Sequence, residues 1–276
     1  MKKFWKFNEV IDWTKKSMYD YSYEVHTEKW QGKEIKEDDR FKMIEILLHS
    51  FSCRIDPDIE ELKKQINPNL PWADDHFLER VSGIPYNPPP SHQWWPFAQK
   101  NNAEFGGNEK FSHTYPERMW PKYPDKLIMG IYYDGTEQKE GLFVDGEPNK
   151  GIRYNYGDLQ DVVNLIHREP FTRQAFLPIW FPEDTGVVFG GRVPCTIGYH
   201  FIRRGNNLHI VYYIRSCDFF RHFRDDIYLA CRKVLWMLEK LRELDPKEWN
   251  DVEPGLLTFH CTSLHCWASE KKLLLK

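Results

Sequence analysis

The stretch that decides the fold reads RVPCTIGYHF over residues 192–201 and is followed by LHIVYYIRSCD over residues 208–218. Both segments predict β-strands, and the second alternates cleanly between two faces. One face carries Leu208, Ile210, Tyr212 and Ile214. The other carries His209, Val211, Tyr213 and Arg215. An acidic turn, Arg224–Asp226, then begins a predicted helix. The chain thus contains, in order, a cysteine after a proline, an Arg-Ser-x-Asp run and a carboxylate at the start of a helix.

This order makes Cys195 a candidate nucleophile, Arg215 part of a candidate anion site and Asp226 a candidate for recognising a base. Each residue also has an ordinary structural explanation. Cys195 could be a buried strand cysteine, and Arg215 could be a surface strand residue. Asp225 and Asp226 could be an N-cap and a first-turn acid. Arg215 on the adjacent strand favours the reactive interpretation, because a nearby guanidinium stabilises a thiolate.

The composition is that of an ordinary protein large enough for a substantial core. The chain has 276 residues, 41% of them hydrophobic and 29% charged. Its 11 Trp, 14 Tyr and 18 Phe favour a β-rich architecture with aromatic-lined clefts. The net charge of −3 argues against a nucleic-acid partner, because domains that coat phosphate backbones are usually strongly basic. Isolated arginines that bind one small phosphate remain compatible with this charge.

The sequence predicts a cytoplasmic protein with free thiols, no membrane partner and no metal. No apolar run reaches the length of a membrane span. The basic start Met1–Lys6 is followed by Asn8, Glu9 and Asp12, which interrupt any signal-peptide core. Six cysteines without a CxxC pair suit a reducing compartment. The pairs His260-Cys261 and His265-Cys266 fit no standard zinc spacing.

Apolar periodicity and Gly/Pro punctuation predict one α/β domain with insertions. We expect residues 1–50 to be helical and residues 85–90 to be extended. Three further helices are predicted, from about 74 to 81, from 158 to 167 and from 226 to 241. The other predicted elements are strands 174–180 and 256–267, a turn over 183–191, and a hairpin of 127–133 with 141–144.

The motifs together resemble one known family. Pro194-Cys195, Arg215-Ser216-x-Asp218, Asp226-Ile227 and His265-x-Trp267 resemble the thymidylate synthase and deoxycytidylate hydroxymethylase family. Glu169-Pro-Phe-Thr-Arg173 with Trp180 extends the resemblance, which covers residues 158–267 best. A weaker match joins Glu79 with Gly83 and Asn87, and Tyr115 with Trp120. The resemblance implies an α/β (α+β) fold with a large mixed sheet flanked by helices. It implies one catalytic domain over 1–276, with cleft loops over 71–125 and a weakly matched segment over 1–70.

The resemblance also implies roles around a pyrimidine nucleotide. Cys195 would add to C6, and C5 would then attack the one-carbon unit of 5,10-methylenetetrahydrofolate. Glu79 and Tyr115 would assist proton transfer at the ring. The nucleotide-binding residues would be Arg215 and Ser216 at the phosphate, and His265 and Trp267 at the sugar.

Folate and a second subunit complete the site that the resemblance implies. Asp218 and Trp95 would lie on the folate side. Arg173 matches an arginine that family members donate across a homodimer interface to the partner's phosphate site. Gln174 stands where the family has a second arginine, and we expect Lys29 or Arg40 as its replacement.

Further departures from thymidylate synthase determine the predicted substrate. Asp226 occupies the place of a base-reading asparagine. A carboxylate accepts from the N4 amino group of cytosine, whereas an amide suits uracil. Thr196 stands where many synthases have histidine, and Trp267 replaces a tyrosine. The chain also stops nine residues after Trp267, which we expect to favour water entry and a hydroxymethyl product.

The sequence therefore predicts a cytidine monophosphate 5-hydroxymethyltransferase acting on dCMP or CMP. Two alternatives stay open. One is C5 methylation of dCMP or dUMP, and the other is a non-catalytic nucleotide-binding homologue. The predicted activity suits phage DNA modification or a nucleoside-antibiotic pathway.

Overall fold

The structure is a computed structural model in which residues 1–26, 41–97, 111, 113–121, 157–185 and 193–276 are described. Two short backbone ladders are described besides these, Lys29–Trp30 (β3) with Lys33–Glu34 (β4), and Phe143–Val144 (β6) with Glu147–Pro148 (β7). Across the described residues, every helix is too short or too polar to traverse a lipid bilayer.

Seven strands form one mixed sheet. Their bounds are Lys2–Phe4 (β1), Tyr23–Val25 (β2), Met43–Arg54 (β5), Phe176–Pro178 (β8), Thr196–Arg204 (β9), Asn207–Asp218 (β10) and Glu253–Trp267 (β11). The order is β1-β5-β11-β10-β9-β8, and β2 also pairs with β5. The pairs β1/β5 and β10/β11 are parallel, and the other pairs are antiparallel. This large mixed sheet with flanking helices confirms the predicted α/β class.

The described helices are Phe7–Tyr21 (α1), Ile59–Ile66 (α2), Trp72–Val81 (α3), Tyr115–Met119 (α4), Leu159–Arg168 (α5), Phe223–Leu244 (α6) and Pro246–Trp249 (α7). Short 3-10 helices cover Pro90–Trp94, Pro182–Asp184 and Ala268–Leu275. The long helix α6 packs across β10 and β11, and it also contacts α2, α3 and α5. It therefore covers the central strands, and its first turn lies at their carboxyl ends.

Aromatic rings fill the space between α6 and the sheet. Phe259 stacks on Phe51 with centroids 5.2 Å apart, and the Tyr212 ring meets its edge at 5.5 Å. Phe223, the first residue of α6, lies 5.6 Å from the same ring. All four side chains are fully buried. The alternation predicted for residues 208–214 is confirmed, because its apolar face points into this core.

The prediction of a helical segment over residues 1–50 is only partly right. Residues 7–21 are helical, but residues 43–54 form the long strand β5. A short run of Met, Ile and Leu fits either period, and the sheet decides between them because β5 pairs with β1, β2 and β11. A left-handed residue, Leu48 with φ of 53°, lies within the strand, and the register with β11 is the same on both sides of it.

Several boundaries also differ from the prediction. The helix expected at Asp226 begins at Phe223, so its N-cap position is His222 and both aspartates lie in the first turn. Strand β8 is shorter than the predicted 174–180, and residues 90–94 form a 3-10 turn after the extended prolines. The predicted helices at 74–81 and 158–167 and the strand at 256–267 are confirmed. Of the predicted hairpin, residues 127–133 and 141–142 lie outside the described residues, and Phe143–Val144 pairs with Glu147–Pro148. Most of the predicted 183–191 turn also lies outside the described residues.

Candidate active site

Cys195 lies directly before β9, on a segment that Arg215 holds in place. The Arg215 guanidinium donates to the carbonyls of Pro194 at 2.9 Å and Val193 at 3.2 Å. The Arg215 backbone N–H donates to the Cys195 carbonyl at 2.9 Å. Cys195 is partly buried, and Arg215 stacks over the Trp180 ring at 5.5 Å. The structure thus brings the backbone segment of the predicted nucleophile and the predicted phosphate-binding arginine together.

Tyr115 joins this group through a chain of hydroxyl groups. The Thr196 hydroxyl donates to the Tyr115 oxygen at 3.3 Å and lies 2.9 Å from the Tyr212 hydroxyl. Burial raises the pKa of Tyr115 above its ordinary value, and the nearby Cys195 and Asp226 add to this effect. Threonine at position 196, expected as a departure from the family, therefore couples the residue after the nucleophile to two buried tyrosines.

Asp226 faces the same cluster from the first turn of α6. The Cys217 thiol donates to its carboxylate at 3.5 Å. Burial raises the pKa of Asp226 from 3.8 to about 6, and the positive charge of Arg80 opposes that rise. Its neighbour Asp225 is engaged elsewhere, because its carboxylate accepts two hydrogen bonds from Asn69, each of 2.8 Å. Asp226 is thus the first-turn acid that contacts the end of β10, whereas Asp225 contacts Asn69.

Two buried basic residues near this cluster, Arg80 and Lys233, were not anticipated from the sequence. Arg80 is 3% exposed and places its guanidinium 4.0 Å from the centroid of the Tyr115 ring. Lys233 is fully buried, with its ammonium group 4.4 Å from the Tyr199 ring centroid. Lys233 lies seven residues after Asp226, about two helical turns, so the two side chains share one helix face. A charged residue on an otherwise apolar helix face was the signal in the sequence that could have identified Lys233.

Glu79 lies in α3 and is already bound to neighbouring groups. Its carboxylate accepts from the backbone N–H of Ser91 and from the Ser91 hydroxyl, the latter at 2.6 Å. His76 Nδ1 lies 3.2 Å from the same carboxylate. Burial acts to raise the Glu79 pKa, but hydrogen bonds from His76 and Ser91 outweigh it and lower the pKa. Among the described residues, the Glu79 carboxylate is thus engaged by His76 and Ser91.

The predicted sugar and phosphate residues lie at the carboxyl ends of two parallel strands. In the ladder of β10 and β11, Ser216 pairs with Ser263 and Asp218 pairs with His265. Burial lowers the pKa of His265, which favours its neutral imidazole. Trp267, two residues further, meets the Phe41 ring at 5.6 Å. Parallel pairing thus places Ser216 and His265 at the same end of the sheet, where β10 and β11 finish, and Trp267 is the last residue of β11.

The predicted folate residues, Trp95 and Asp218, have different surroundings. Trp95 stacks on His222 at 5.2 Å, and its buried indole N–H has no hydrogen-bond partner among the described residues. Asp218 instead caps the following turn, because it accepts from the backbone N–H of Phe220 and pairs with Arg221 at 3.0 Å. The Trp95 indole thus keeps an unpaired donor among the described residues, whereas Asp218 is engaged by Arg221.

Arg173 lies apart from this cluster, on an exposed loop between α5 and β8. The loop is anchored by a 3.0 Å hydrogen bond between His200 Nε2 and the Arg173 carbonyl. Gln174 is also exposed. The side chains of Lys29 and Arg40, expected as substitutes for a phosphate arginine, lie outside the described residues. Over the part of the chain that is described, no three His, Cys, Asp or Glu side chains come together as a metal site would require.

The likeness to known proteins is partial. No family model matches the chain. A curated Methanosarcina mazei protein named "Putative thymidylate synthase" is 25% identical over an alignment of 143 residues that covers 48% of this chain. The match covers 60% of that protein, so the chain spans about three fifths of the relative's length. Together with the mixed sheet flanked by helices, this similarity supports the thymidylate synthase family and does not distinguish a hydroxymethylase from a synthase.

Proposed function

We propose that the protein is a folate-dependent 5-hydroxymethyltransferase acting on dCMP or CMP, in the cytoplasm. The observation that carries the proposal is the position of Asp226. A carboxyl group, not an amide, faces the cluster that contains Tyr115 and adjoins Cys195. The protein similar over part of its length is named as a thymidylate synthase, which supports pyrimidine C5 chemistry of this general type.

In the proposed reaction the Cys195 thiolate adds to C6 of the ring and makes C5 nucleophilic. Methylenetetrahydrofolate is the second substrate and supplies a one-carbon unit at the oxidation level of formaldehyde. C5 bonds to that carbon, the C5 proton leaves toward the Tyr115 and Thr196 hydroxyls, and tetrahydrofolate departs. Hydroxide from water then adds to the exocyclic methylene, and the C6–S bond breaks to return the thiolate. The products are 5-hydroxymethyl nucleotide and tetrahydrofolate, and no reductant is consumed.

Asp226 would select the base through its hydrogen-bonding pattern. An ionised carboxylate only accepts, so it pairs with the N4 amino group of cytosine and with N3–H when the adduct is protonated there. Uracil presents its O4 acceptor at the same place, and two acceptors facing each other repel. The resemblance noted in the sequence points the same way, because cytosine-specific hydroxymethylases carry aspartate at this position.

Product analysis tests the reaction directly. Purified protein is incubated with methylenetetrahydrofolate and, separately, with dCMP, CMP or dUMP, and the nucleotides are analysed by mass spectrometry. We expect a hydroxymethyl product from a cytidine nucleotide without dihydrofolate. A methyl product with dihydrofolate would establish the synthase alternative instead. Nucleotide binding with no product from any substrate would establish the non-catalytic alternative.

We also propose a homodimer in which Arg173 reaches the partner's phosphate site. The sheet face opposite α6 carries a row of rings, with Tyr213 stacked 5.4 Å from His260 and 6.3 Å from Phe176. Phe176 is 39% exposed, and the loop of Arg173 borders this row. An apolar sheet face of this kind suits a second copy of the chain.

Subunit complementation tests this arrangement. Cys195→Ala removes the nucleophile from one subunit type, and Arg173→Ala removes the donated arginine from the other. Each homodimer should be inactive, whereas a mixed heterodimer retains one site with both residues. We expect mixing to restore up to about a quarter of wild-type activity, by random assortment of subunits. No recovery on mixing, with exchange verified by mass, would rule out donation in trans.

A further inference from the structure

Three hydroxyl groups from three separate elements meet beside the candidate nucleophile. Thr196, the first residue of β9, directly follows Cys195 in the chain. Its hydroxyl lies 3.3 Å from the oxygen of Tyr115, the first residue of α4, and 2.9 Å from the hydroxyl of Tyr212 on β10. Thr196 and Tyr212 are fully buried, whereas Tyr115 is partly exposed. The hydroxyl chain therefore runs from the core to a side chain that solvent can reach.

The number of protons sets the direction of this hydroxyl chain. A threonine hydroxyl has one proton to donate and two lone pairs that accept. Thr196 donates its proton to Tyr115, so the proton in the 2.9 Å contact comes from Tyr212. One lone pair of the Tyr115 oxygen is thus occupied by Thr196. The same oxygen keeps a second lone pair and its own proton, so it can accept and donate at the same time.

Packing contacts hold both ends of the hydroxyl chain in place. The Tyr212 ring stacks on the Tyr199 ring, with centroids 4.7 Å apart and planes inclined by 18°. The guanidinium of the buried Arg80 lies 4.0 Å from the centroid of the Tyr115 ring. Thr196 is β-branched and its backbone is paired with β10, which restricts the rotation of its side chain. The three oxygens are therefore held by packing as well as by their hydrogen bonds.

We propose that Thr196 and Tyr212 are positioning residues that hold the Tyr115 phenol as a neutral proton relay, which takes the proton from C5 of the nucleotide and passes its own proton to the departing folate nitrogen. This inference rests on the proposed function, because it assumes a nucleotide bound covalently to Cys195. In this step the C5–H bond breaks, and its electron pair forms the exocyclic double bond. The bond from the methylene carbon to the folate nitrogen also breaks, and that nitrogen takes the electron pair and the phenol proton. Tyr115 ends the step as a neutral phenol.

The surroundings of Tyr115 suit a relay that starts and ends neutral. Burial raises the pKa of Tyr115 and raises that of Tyr212 well above its ordinary value, so both phenols keep their protons at neutral pH. A hydroxyl donates and accepts through a single atom, which an imidazole nitrogen cannot do. Threonine rather than histidine therefore fits the middle of the hydroxyl chain.

The first readout needs no nucleotide. Tyrosines are labelled with ¹³C at the carbon that bears the hydroxyl, and the Tyr115 resonance is assigned by its loss in Tyr115→Phe. We expect Thr196→Val and Tyr212→Phe to shift the Tyr115 resonance, because each removes a donor from the hydroxyl chain. Thr196→Ser should leave the resonance in place. Tyr213→Phe is the matched control, since Tyr213 is the next residue on β10 but stacks on His260 at 5.4 Å, on the other face of the sheet.

The second readout is the turnover of dCMP with hydrogen or deuterium at C5. We expect Thr196→Val to lower kcat by about 10- to 100-fold and to change KM by less than about threefold, because the proton transfer loses its alignment. The deuterium isotope effect on kcat should increase, since proton transfer then limits turnover. Thr196→Ser should restore most of kcat. Adding Thr196→Val to Tyr115→Phe should cost no more than about threefold further, because the relay is already lost.

A third readout separates the relay from a displaced nucleophile. Thr196→Val should still form the covalent adduct of Cys195 with a 5-fluoropyrimidine nucleotide, because addition to C6 precedes the transfer of the C5 proton. A variant that forms no adduct has lost its nucleophile, and the relay would then be overturned as the cause of its low kcat.

Product formation by the wild type separates two kinds of failure. If the wild type forms product while Thr196→Val keeps the wild-type kcat and isotope effect, the relay is overturned and the proposed function stands. The same holds if the losses of Thr196→Val and Tyr115→Phe multiply fully in the double variant. If the wild type forms no product and releases no C5 deuterium, the proposed function fails and the relay fails with it. An unshifted Tyr115 resonance in Thr196→Val would overturn the hydroxyl chain whatever the activity.

Discussion

Replacing Asp226 by asparagine should stabilise the protein above about pH 6 and change little below about pH 4. Burial raises the Asp226 pKa from 3.8 to about 6, so ionisation costs more in the folded than in the unfolded chain. At about 1.4 kcal/mol per pH unit, this difference amounts to about 3 kcal/mol. That figure is an upper bound, because the side chain keeps some contact with solvent.

The sign follows from where the proton is held more tightly. The folded state has the higher pKa, so the stabilisation that the protonated carboxyl provides is complete below the unfolded pKa of 3.8. It is lost as the pH rises to about 6, and it stays lost above that value. Asparagine does not titrate. Any change in hydrogen bonding that the substitution causes adds an offset to the free energy of unfolding, and this offset does not depend on pH.

Urea denaturation at several pH values from about 4 to 8 measures the effect as a free energy of unfolding. The free energy of unfolding of Asp226→Asn minus that of the wild type should rise by up to about 3 kcal/mol across this range. The midpoint of this rise should lie between the unfolded and folded pKa values of Asp226. Asp251→Asn is the control, because Asp251 is an exposed carboxylate. A difference that stays flat within about 0.5 kcal/mol, or that falls with pH, would refute the assignment of a buried, proton-retaining Asp226.

Three further perturbations test the nucleophile, its support and the sheet. Cys195→Ala should form no covalent adduct with a 5-fluoropyrimidine nucleotide, whereas the wild type gains the adduct mass on Cys195 in a digest. Arg215→Lys should slow adduct formation by about tenfold or more, because an ammonium cannot reproduce the planar fork that holds the two carbonyls before Cys195; exposed Arg168→Lys should leave the rate unchanged. Gly198→Ala should lower the unfolding free energy by about 1–3 kcal/mol, because its Cβ would lie 2.5 Å from a β8 ring carbon and 2.7 Å from a β8 carbonyl. Gly157→Ala, whose Cβ would meet its nearest atom at 3.8 Å, should not change it.

The sequence alone was most informative where a local pattern is compatible with only one secondary structure. Strict alternation over residues 208–214 determined both the strand and its buried face, because the side-chain period of a strand is two. Amphipathic spacing predicted a helix over 158–167, and the structure has it over Leu159–Arg168 with Asp158 as its N-cap. The order of Cys195, Arg215 and Asp226 was enough to nominate a nucleophile, its arginine and a carboxyl group near it.

The sequence was ambiguous where a pattern fitted two structures. The apolar run at 43–54 suits a helix or a buried strand, and only pairing with three neighbouring strands makes it β5. The aspartates at 225 and 226 look equivalent in sequence. The start of α6 at Phe223 turns one toward Asn69 and the other toward the Cys217 thiol.

Tertiary structure alone revealed what surrounds the candidate nucleophile. Arg80 and Lys233 are distant from Cys195 along the chain, and no local spacing joins Arg80 to Tyr115 or Thr196 to Tyr212. These contacts arise because α3, α4 and α6 converge at the end of the central strands. Residue types therefore determined which chemistry is available, whereas burial and convergence determined how the charges act on one another. A charge has its large effects only where folding removes the water that would otherwise screen it.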